Sequence, residues 1–378
     1  MDKTLPTSDI LANFWRLFYS SEEENVRLAL EIAKNIEAID VESLLQGYKD
    51  LYKALVGEYE TSFGVAEIIE LNRPTLSTRD FGLRVLPESI GVLKQLEGVF
   101  LKNNNLSTLP QSIGDLIHLR DLYLYNNELT SLPESLGNLK RLEELNLEKN
   151  QLVTLPKSLG SLVNLKTLYL SSNTLHSLPE SVGDLVNLKT LYLDNNALIS
   201  LPESFGSLMN LKSLALEHNA LLSLPKRVGN LGKLEKLWLN YNRLTSLPES
   251  VGNWTNLEVL DVAGNQLTHL PASMSSLVNL KRLTLSNNQL SDLPKNWDNL
   301  VNLEDLNLEQ NQLISLPKCL GDLVNLEWLE LNDNQLTSLP EHLGNLKNLR
   351  RLSLMGNPLA SAEVSRIQAQ LPNCEVTF

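Results

Sequence analysis

The 378-residue sequence has few cysteines, no excess of basic residues and no long apolar run. Its 32 lysines and arginines are outnumbered by 45 aspartates and glutamates, which gives a formal net charge of −13. A surface that binds nucleic acid needs basic groups to displace counterions from phosphates, so we expect no nucleic acid among the partners and favour basic or neutral proteins. No apolar stretch approaches the roughly 18 residues of a membrane span, and no cationic segment followed by an apolar run opens the chain. We therefore expect no membrane span, no secretory signal and a cytoplasmic protein, with export by a non-classical route left open.

The two cysteines, Cys319 and Cys374, are expected to be unpaired and buried as small hydrophobic residues, in a chain made in a reducing compartment. They lie more than two units apart in the repeat described below. At about 4.8 Å per stacked strand, their α-carbons should be about 10 Å apart or more. That separation exceeds the limit of roughly 7 Å for a disulfide.

Motifs for catalysis and for metal binding are missing. The sequence has no phosphate-binding G-x-x-x-x-G-K-[ST] loop, no dinucleotide-binding G-x-G-x-x-G motif and no G-x-S-x-G nucleophile turn. The five histidines, of which only His218 falls on the predicted inner face, occupy different repeats and different positions within them, whereas a metal or a catalytic base needs partners that converge. We expect no enzyme activity, no metal and no cofactor.

What the sequence does contain is a regular repeat. The dipeptide Leu-Pro recurs every 23 residues from Pro87 to Pro340, and an asparagine recurs with the same spacing from Asn104 to Asn357. The unit reads L-x-x-L-x-L-x-x-N-x-L-x-x-L-P-x-x-φ-G-x-L-x-x, where φ is a large apolar residue. Twelve complete copies are present. Such a period is typical of a solenoid, in which each coil buries its apolar face only against its neighbours.

Each position of the unit has a structural interpretation. The L-x-L triplet, for example Leu122-Tyr123-Leu124, predicts a short strand with inward leucines and an outward middle residue. The asparagine should be a buried amide that bonds backbone groups of its turn and of the next coil. Proline should open an extended turn or a short helix on the other side of the coil, and the following glycine, for example Gly137, should be a left-handed helix C-cap. Ser275 and Asp298 replace this glycine in two repeats. Aspartate tolerates left-handed geometry, so Asp298 should preserve the cap, whereas Ser275 predicts a slightly altered turn.

This unit resembles the leucine-rich repeat, and its L-P-x-x-I-G form is similar to the intracellular Ras-group and Scribble-type repeats and to many bacterial repeat proteins. The resemblance covers about four-fifths of the chain, from roughly Pro74 to Phe378. It implies an α/β solenoid, that is, a curved leucine-rich-repeat array with a concave parallel β-sheet, which recognises proteins. An all-α region should precede this array.

The predicted domain organisation has three parts. Residues 1–72 form a helical cap, or alternatively a docking or dimerising module. Its first helix should begin at Ser8 or Asp9, its second should follow a capping box of Ser21 and Glu24, and its third should begin at Asp40. Residues 73–357 form the array, with an incomplete first coil in which Phe81 replaces the asparagine. Residues 358–378 form a C-terminal cap with a helix and a short strand.

The outward strand positions are not constrained by the repeat, and they are uneven in composition. Five of the first seven are aromatic and none of the last five is. Strand propensity alone could place aromatic residues here, but it would scatter them along the whole array. Because tyrosine and tryptophan are favoured anchors of protein interfaces, we predict a binding face on the N-terminal and central concave side, where acidic residues select basic groups. Its candidate residues are Phe100, Tyr123, Tyr125, Glu144, Glu148, Tyr169, Tyr192, Asp194, Glu217, Trp238 and Tyr241.

The expected function is therefore that of a protein-interaction module or scaffold, monomeric and without enzyme activity. Two alternatives use the same face. One is a secreted or injected bacterial effector that acts on host proteins. The other is a ligand-sensing ectodomain, which the resemblance makes less suitable because receptor ectodomains of this kind normally carry disulfide-paired flanking caps.

Overall fold

The computed structural model describes residues 7–57, 63–78 and 82–378, and the chain divides into two compact units, Met1–Leu165 and Lys166–Phe378. In each unit, three-residue strands pair in parallel with their sequence neighbours, so that equivalent repeat positions lie side by side. Strands β1 to β4 belong to the first unit and β5 to β14 to the second. The predicted α/β leucine-rich-repeat class, with a parallel sheet and an all-α N-terminal region, is confirmed.

The α-helices are α1 Thr7–Phe18, α2 Glu23–Ala33, α3 Val41–Leu55, α4 Val65–Leu71 and α5 Ser361–Gln370. The strands, β1 to β14 in chain order, are Thr75–Ser77, Gly98–Phe100, Asp121–Tyr123, Glu144–Asn146, Thr167–Tyr169, Thr190–Tyr192, Ser213–Ala215, Lys236–Trp238, Val259–Asp261, Arg282–Thr284, Asp305–Asn307, Trp328–Glu330, Arg351–Ser353 and Glu375–Thr377. Between successive strands, from β1 to β13, lies a 3-10 helix: Glu88–Val92, Gln111–Asp115, Glu134–Asn138, Lys157–Ser161, Glu180–Asp184, Glu203–Ser207, Lys226–Asn230, Glu249–Asn253, Ala272–Ser276, Trp297–Asn299, Lys318–Asp322 and Glu341–Asn345.

The repeated asparagines hold consecutive coils together through their side chains. Asn127 is 7% exposed; its Oδ1 accepts from the Leu106 N–H at 3.0 Å, and its Nδ2 donates to the carbonyl oxygens of Leu101 at 2.9 Å and Leu124 at 3.0 Å. Asn242 and Asn265 repeat the pattern. The side-chain amide therefore bonds backbone groups of its own turn and of the preceding coil. The prediction that it bonds the next coil is wrong. These bonds satisfy backbone groups that would otherwise be buried without partners.

The repeated glycines are not helix C-caps, so that prediction is wrong. Gly137 lies inside the 3-10 helix Glu134–Asn138, and the glycines with positive φ in the described residues lie elsewhere, at Gly57, Gly82, Gly264 and Gly356. A Cβ on Gly137 would come within 2.5 Å of the Ser158 Cβ and 2.6 Å of the Ser158 carbonyl oxygen, in the next coil. Glycine is required because the coils approach too closely at this point for a side chain.

Ser275 shows how the array accommodates a side chain at the glycine position. It lies in the regular 3-10 helix Ala272–Ser276, but the next outer segment shortens to Trp297–Asn299. Asn296, with φ −122° and ψ 38°, leaves the helix and donates from Nδ2 to the Ser275 Oγ at 3.0 Å. The altered turn predicted at Ser275 is therefore found one coil later, in the segment that contains Asp298. The prediction that Asp298 preserves a left-handed cap is wrong, since Asp298 lies within that 3-10 helix and is not among the described residues with a positive φ.

The N-terminal helices differ from prediction in two details. The residue before α2 is Glu22, and its side chain makes no cap hydrogen bond, so the predicted capping box of Ser21 and Glu24 is wrong. Helix α4 was not predicted; the Glu67 carboxylate accepts from the Gly64 N–H at its start. The predicted start of the third helix at Asp40 is confirmed: α3 begins at Val41, and the carboxylate of its N-cap, Asp40, accepts from the Ser43 N–H at 3.0 Å.

These helices pack on the first 3-10 segment of the array. The Tyr19 hydroxyl donates to the Val92 carbonyl oxygen at 2.9 Å, and the Gln95 Nε2 donates to the Leu71 carbonyl oxygen at 3.1 Å. Leu76 of the incomplete first coil pairs with Val99 in the parallel ladder. Phe81, predicted to replace the asparagine of that coil, lies outside the described residues. These contacts suit a cap, although the three-part division of the chain stays a prediction.

At the other end, α5 and β14 match the predicted helix and terminal strand. Ile367 and Leu371 are buried, as their spacing on one helical face predicts, and β14 pairs in parallel with β13. Cys319 and Cys374 are free, but both are partly exposed, so the prediction that they are buried is wrong. Cys319 lies in the 3-10 helix Lys318–Asp322, and Cys374 lies just before β14, where its Sγ donates to the Glu375 carbonyl oxygen at 3.6 Å.

Candidate protein-binding surface

The outward strand residues form a partly exposed surface in each unit. In the first unit this surface contains Phe100, Tyr123, Tyr125, Glu144 and Glu148, all of which are half-buried. In the second unit it contains Tyr169, Tyr192, Asp194, Glu217, Trp238 and Tyr241; Tyr241 is 52% exposed, and the others are half-buried. The predicted site residues are therefore accessible. Within each unit, the parallel register of the strands places site residues of adjacent strands side by side.

Aromatic pairs in the first unit follow from that register. Phe100 and Tyr123 are paired positions of β2 and β3, and their ring centroids lie 5.2 Å apart with an interplanar angle of 33°. The Tyr123 hydroxyl donates to the Glu144 carboxylate in the next strand. The Lys102 ammonium lies 5.4 Å from the Tyr125 ring centroid. The Tyr123 hydroxyl and the Tyr125 ring therefore already have partners within the chain.

Tyr169 and Tyr192 form the corresponding pair in the second unit, with centroids 5.4 Å apart and an interplanar angle of 45°. The next outward residue is Ala215, followed by Trp238 and Asp261 in the same row of register. Ala215 is therefore a small residue between two large rings. We call Tyr169, Tyr192 and Trp238 the aromatic row.

A second row lies just beyond the strands, where the residue before each repeated asparagine has a positive φ. Among the described residues this applies to Asn103, Asn126, Lys149, Ser172, Asn195, His218, Tyr241, Gly264, Asn287, Gln310, Asp333 and Gly356. For most residue types this left-handed conformation is unfavourable, and for a bulky tyrosine it is a clear outlier. Hydrogen bonds between coils impose it; for example, the Tyr241 N–H donates to the Ala263 carbonyl oxygen at 2.8 Å.

His218 and Tyr241 form a stacked platform in this second row. Their rings lie 4.5 Å apart at an interplanar angle of 14°, and both side chains are exposed. Gly264 leaves space for the tyrosine ring, since a Cβ there would lie 2.7 Å from the Tyr241 Cδ1. Tyr241 was predicted as a site residue and His218 as an inner-face residue, but their stacking was not predicted. The frequency of Asn, Gly, Asp and His before the repeated asparagine is the signal that predicts the left-handed turn.

Carboxylates surround the aromatic row. Burial, together with the charges of Asp194 and Asp261, raises the pKa of Glu217. Burial also raises the pKa of Asp261, whose Oδ1 accepts from the Ala263 N–H at 3.0 Å. Asp194 accepts from the Ser171 hydroxyl and from the Asn195 Nδ2. Asp261 was not among the predicted site residues; its place beside Trp238 follows from the register of β8 and β9.

This arrangement can bind apolar surface on its rings and positive charge on its carboxylates. Across the parts of the chain that the structure describes, no group of three or more His, Cys, Asp or Glu side chains is arranged to hold a metal ion. Within those same ranges, no helix has both the length and the apolar character needed to cross a bilayer.

Comparison with known families gives matches along most of the array. The family described as "Leucine-rich repeat region" matches residues 154–243, and "Leucine rich repeat" matches 94–152, 232–290 and 255–313. "Leucine Rich repeats (2 copies)" matches residues 324–365. None of the curated proteins matches the chain.

Solved structures give further matches. A leucine-rich-repeat protein of Leptospira interrogans is 34% identical, with a TM-score of 0.53, over 82% of this chain and 97% of its own. The internalin inlF of Listeria monocytogenes is 25% identical, with a TM-score of 0.70, over 88% of this chain and 94% of its own. A plant peptide hormone receptor, RGFR1, in complex with RGF2 is 31% identical, with a TM-score of 0.62, over 78% of this chain and 54% of the receptor chain.

Proposed function

The chain belongs to the leucine-rich-repeat family, and from this premise we propose that it is a protein-interaction module which binds a partner through the outward faces of its strands. The partner contacts the aromatic and acidic residues predicted above and carries basic groups. The module works in the cytoplasm as a monomeric scaffold and has no enzyme activity of its own.

The observation that carries this proposal is the exposure of the aromatic row. Rings at outward strand positions are not part of the leucine core, and the Tyr169 and Tyr192 rings lie against each other and stay partly exposed. Large, rigid rings with a polar tip gain apolar contact at little cost in side-chain entropy, and they are enriched among the residues that dominate binding energy.

The test compares two triple variants. Replacing Tyr169, Tyr192 and Trp238 by alanine should abolish capture of the partner from a lysate of the native organism. The matched control replaces Val278, Val301 and Val324, which are 41%, 43% and 48% exposed, by alanine and should leave capture intact. Both variants should keep the thermal midpoint within about 2–4 °C, the shift expected for about 1 kcal/mol in a unit of this size. Unchanged capture by the aromatic variant would contradict the proposal.

A second candidate is a secreted or injected bacterial effector that uses the same face on host proteins. The similarity to proteins of Leptospira interrogans and Listeria monocytogenes favours it. Fractionation of the native organism distinguishes the two functions, because an effector accumulates outside the producing cell and a scaffold stays within it.

A further inference from the structure

On one side of the aromatic row, where the strands begin, the second unit carries exposed lysines. Lys189 directly precedes β6, and Lys236 is the first residue of β8; we call these two residues the lysine pair. Carboxylates lie on the other side, where the strands end, as Asp194 does after β6. At roughly 3.3 Å per residue, the α-carbons of Lys189 and Asp194 lie up to about 16 Å apart. The aromatic row therefore runs between two sides of opposite charge.

The lysine pair has no counter-charge within the described ranges, where neither of its ammonium groups forms an ion pair. Other cations at strand starts of the second unit do have carboxylate partners in a neighbouring coil: Lys212 with Glu235 at 2.6 Å, Lys281 with Glu258 at 3.0 Å and Arg282 with Asp305 at 3.1 Å. The charge of those cations is therefore shared within the chain, whereas the charge of the lysine pair is available to a partner.

The lysine pair lies beside the rings of the aromatic row. Thr190 and Tyr192 are the outward residues of β6, and Lys236 and Trp238 are those of β8. Ser213 of β7 pairs in register with Thr190 on one side and with Lys236 on the other. At about 4.8 Å per strand, the α-carbons of Thr190 and Lys236 lie about 10 Å apart. Two ammonium groups and two hydroxyls therefore border the space next to two rings.

We propose that the partner lays an extended segment along the aromatic row and places an acidic side chain of that segment against the lysine pair. This inference rests on the proposed function and adds an acidic contact to the basic ones stated there. Charge complementarity argues for this occupant. Successive side chains of an extended chain point in opposite directions, so alternate residues of the segment reach the lysine pair and the carboxylates. Ammonium groups and hydroxyls both donate hydrogen bonds to a carboxylate, and the bonds from the ammonium groups are charge-assisted.

The first experiment uses the full chain without substitutions and three N-acetylated peptide amides: the alternating peptide (Glu-Arg)₃, the block peptide Glu₃-Arg₃ of the same composition, and the basic peptide (Gln-Arg)₃. The readout is the indole N–H resonance of Trp238, assigned by comparison with Trp238→Phe. The alternating peptide should shift this resonance saturably, with a Kd at least about tenfold lower than that of either other peptide. Net charge alone predicts the opposite order, because a protein of charge −13 attracts the basic peptide most strongly. Equal or tighter binding of the basic or the block peptide, or no shift with any peptide, would overturn the inference.

The second experiment removes the charge of the lysine pair. In Lys189→Gln with Lys236→Gln, affinity for the alternating peptide should fall about tenfold or more, as expected when charge-assisted hydrogen bonds are lost, while affinity for the basic peptide should not fall. The control, Lys226→Gln with Lys318→Gln, makes the same chemical changes at exposed positions of the 3-10 segments and should bind like the unaltered protein. Both variants change exposed residues and should keep the thermal midpoint. An equal loss in both variants would reduce the effect to net charge and overturn the inference.

Comparison with partner capture separates the two proposals. Loss of capture by the aromatic triple variant, with normal capture by Lys189→Gln/Lys236→Gln, would refute the acidic contact and leave the proposed function standing. Normal capture by the aromatic triple variant would refute the proposed function itself.

Discussion

Asparagine and glycine each repeat every 23 residues, but for different physical reasons. The asparagine is kept for what its side chain bonds: Asn242 joins the Leu221 N–H and the Leu216 carbonyl oxygen of the preceding coil. The glycine is kept for the side chain that it lacks, because the backbone of the next coil occupies that space. A sequence shows that both residues recur, but spacing alone cannot separate a left-handed glycine from one required by close packing.

Gly229 and Gly232 allow this distinction to be tested within one coil. A Cβ on Gly229 would lie 2.7 Å from the Ser250 Cβ and closer still to the Ser250 carbonyl oxygen, whereas a Cβ on Gly232 would meet nothing within 4 Å. Gly229→Ala should lower the free energy of unfolding by about 1–3 kcal/mol, as overpacking does. Gly232→Ala should leave it unchanged or raise it by up to about 1 kcal/mol, since alanine restricts the unfolded chain. Urea denaturation measures both, and equal effects would refute the role assigned to Gly229.

At the scale of elements, the sequence predicts the strands and helices that show a regular residue pattern, and it misses short elements that depend on local geometry. The strands follow from the alternation of L-x-L, and α3 follows from its Asp40 cap. Helix α4 escaped prediction because seven residues are too few to show an amphipathic period. The outer segments are 3-10 helices because the proline before all but one of them, Trp297–Asn299, stays extended, as at Pro133 with ψ 148°, and most segments have only five residues before the chain turns back.

The N-terminal helices are held to each other by a buried polar network as well as by apolar packing. The Tyr48 hydroxyl donates to the Asn72 Oδ1 at 2.7 Å, and the Asn72 Nδ2 donates to the Phe18 carbonyl oxygen at 2.5 Å. Tyr48 is fully buried and Asn72 is 4% exposed. The network thus links α1, α3 and the end of α4, which no pattern in the sequence indicated.

Removing one hydroxyl from this network should be costly. Tyr48→Phe leaves the Asn72 Oδ1 buried without its donor, so the free energy of unfolding should fall by about 1–3 kcal/mol. Tyr125→Phe is the matched control, because its ring is only half-buried, and should change stability by less than about 0.5 kcal/mol. Hydrogen exchange of the amides in α1 and α3, measured with and without the substitution, should show the loss in these helices first. Equal protection in both variants would mean that the hydroxyl contributes nothing.

At the scale of the whole molecule, the sequence predicts the face on which we propose the site but not the electrostatic detail of that face. Alternation along each strand identifies Tyr169, Tyr192 and Trp238 as outward residues, and the structure gives them partly exposed rings. Which carboxylates have a counter-charge depends on side-chain contacts between coils, such as Asp305 with Arg282, that residue spacing does not specify. For the same reason Asp261 joins the surface only once the register of β8 and β9 is known.

Negative charge and apolar contact should act on different stages of binding. With a formal charge of −13, the protein attracts a basic partner over long distances, and salt screens this attraction. Between about 0.05 and 0.5 M NaCl, the association rate constant should therefore fall about tenfold or more, while the dissociation rate constant changes little. Surface plasmon resonance with the captured partner measures both constants. Trp238→Ala should speed dissociation and keep the salt slope, whereas Glu217→Gln with Asp261→Asn should weaken that slope. An association rate that is independent of salt would exclude a basic partner, even if the aromatic row proved essential.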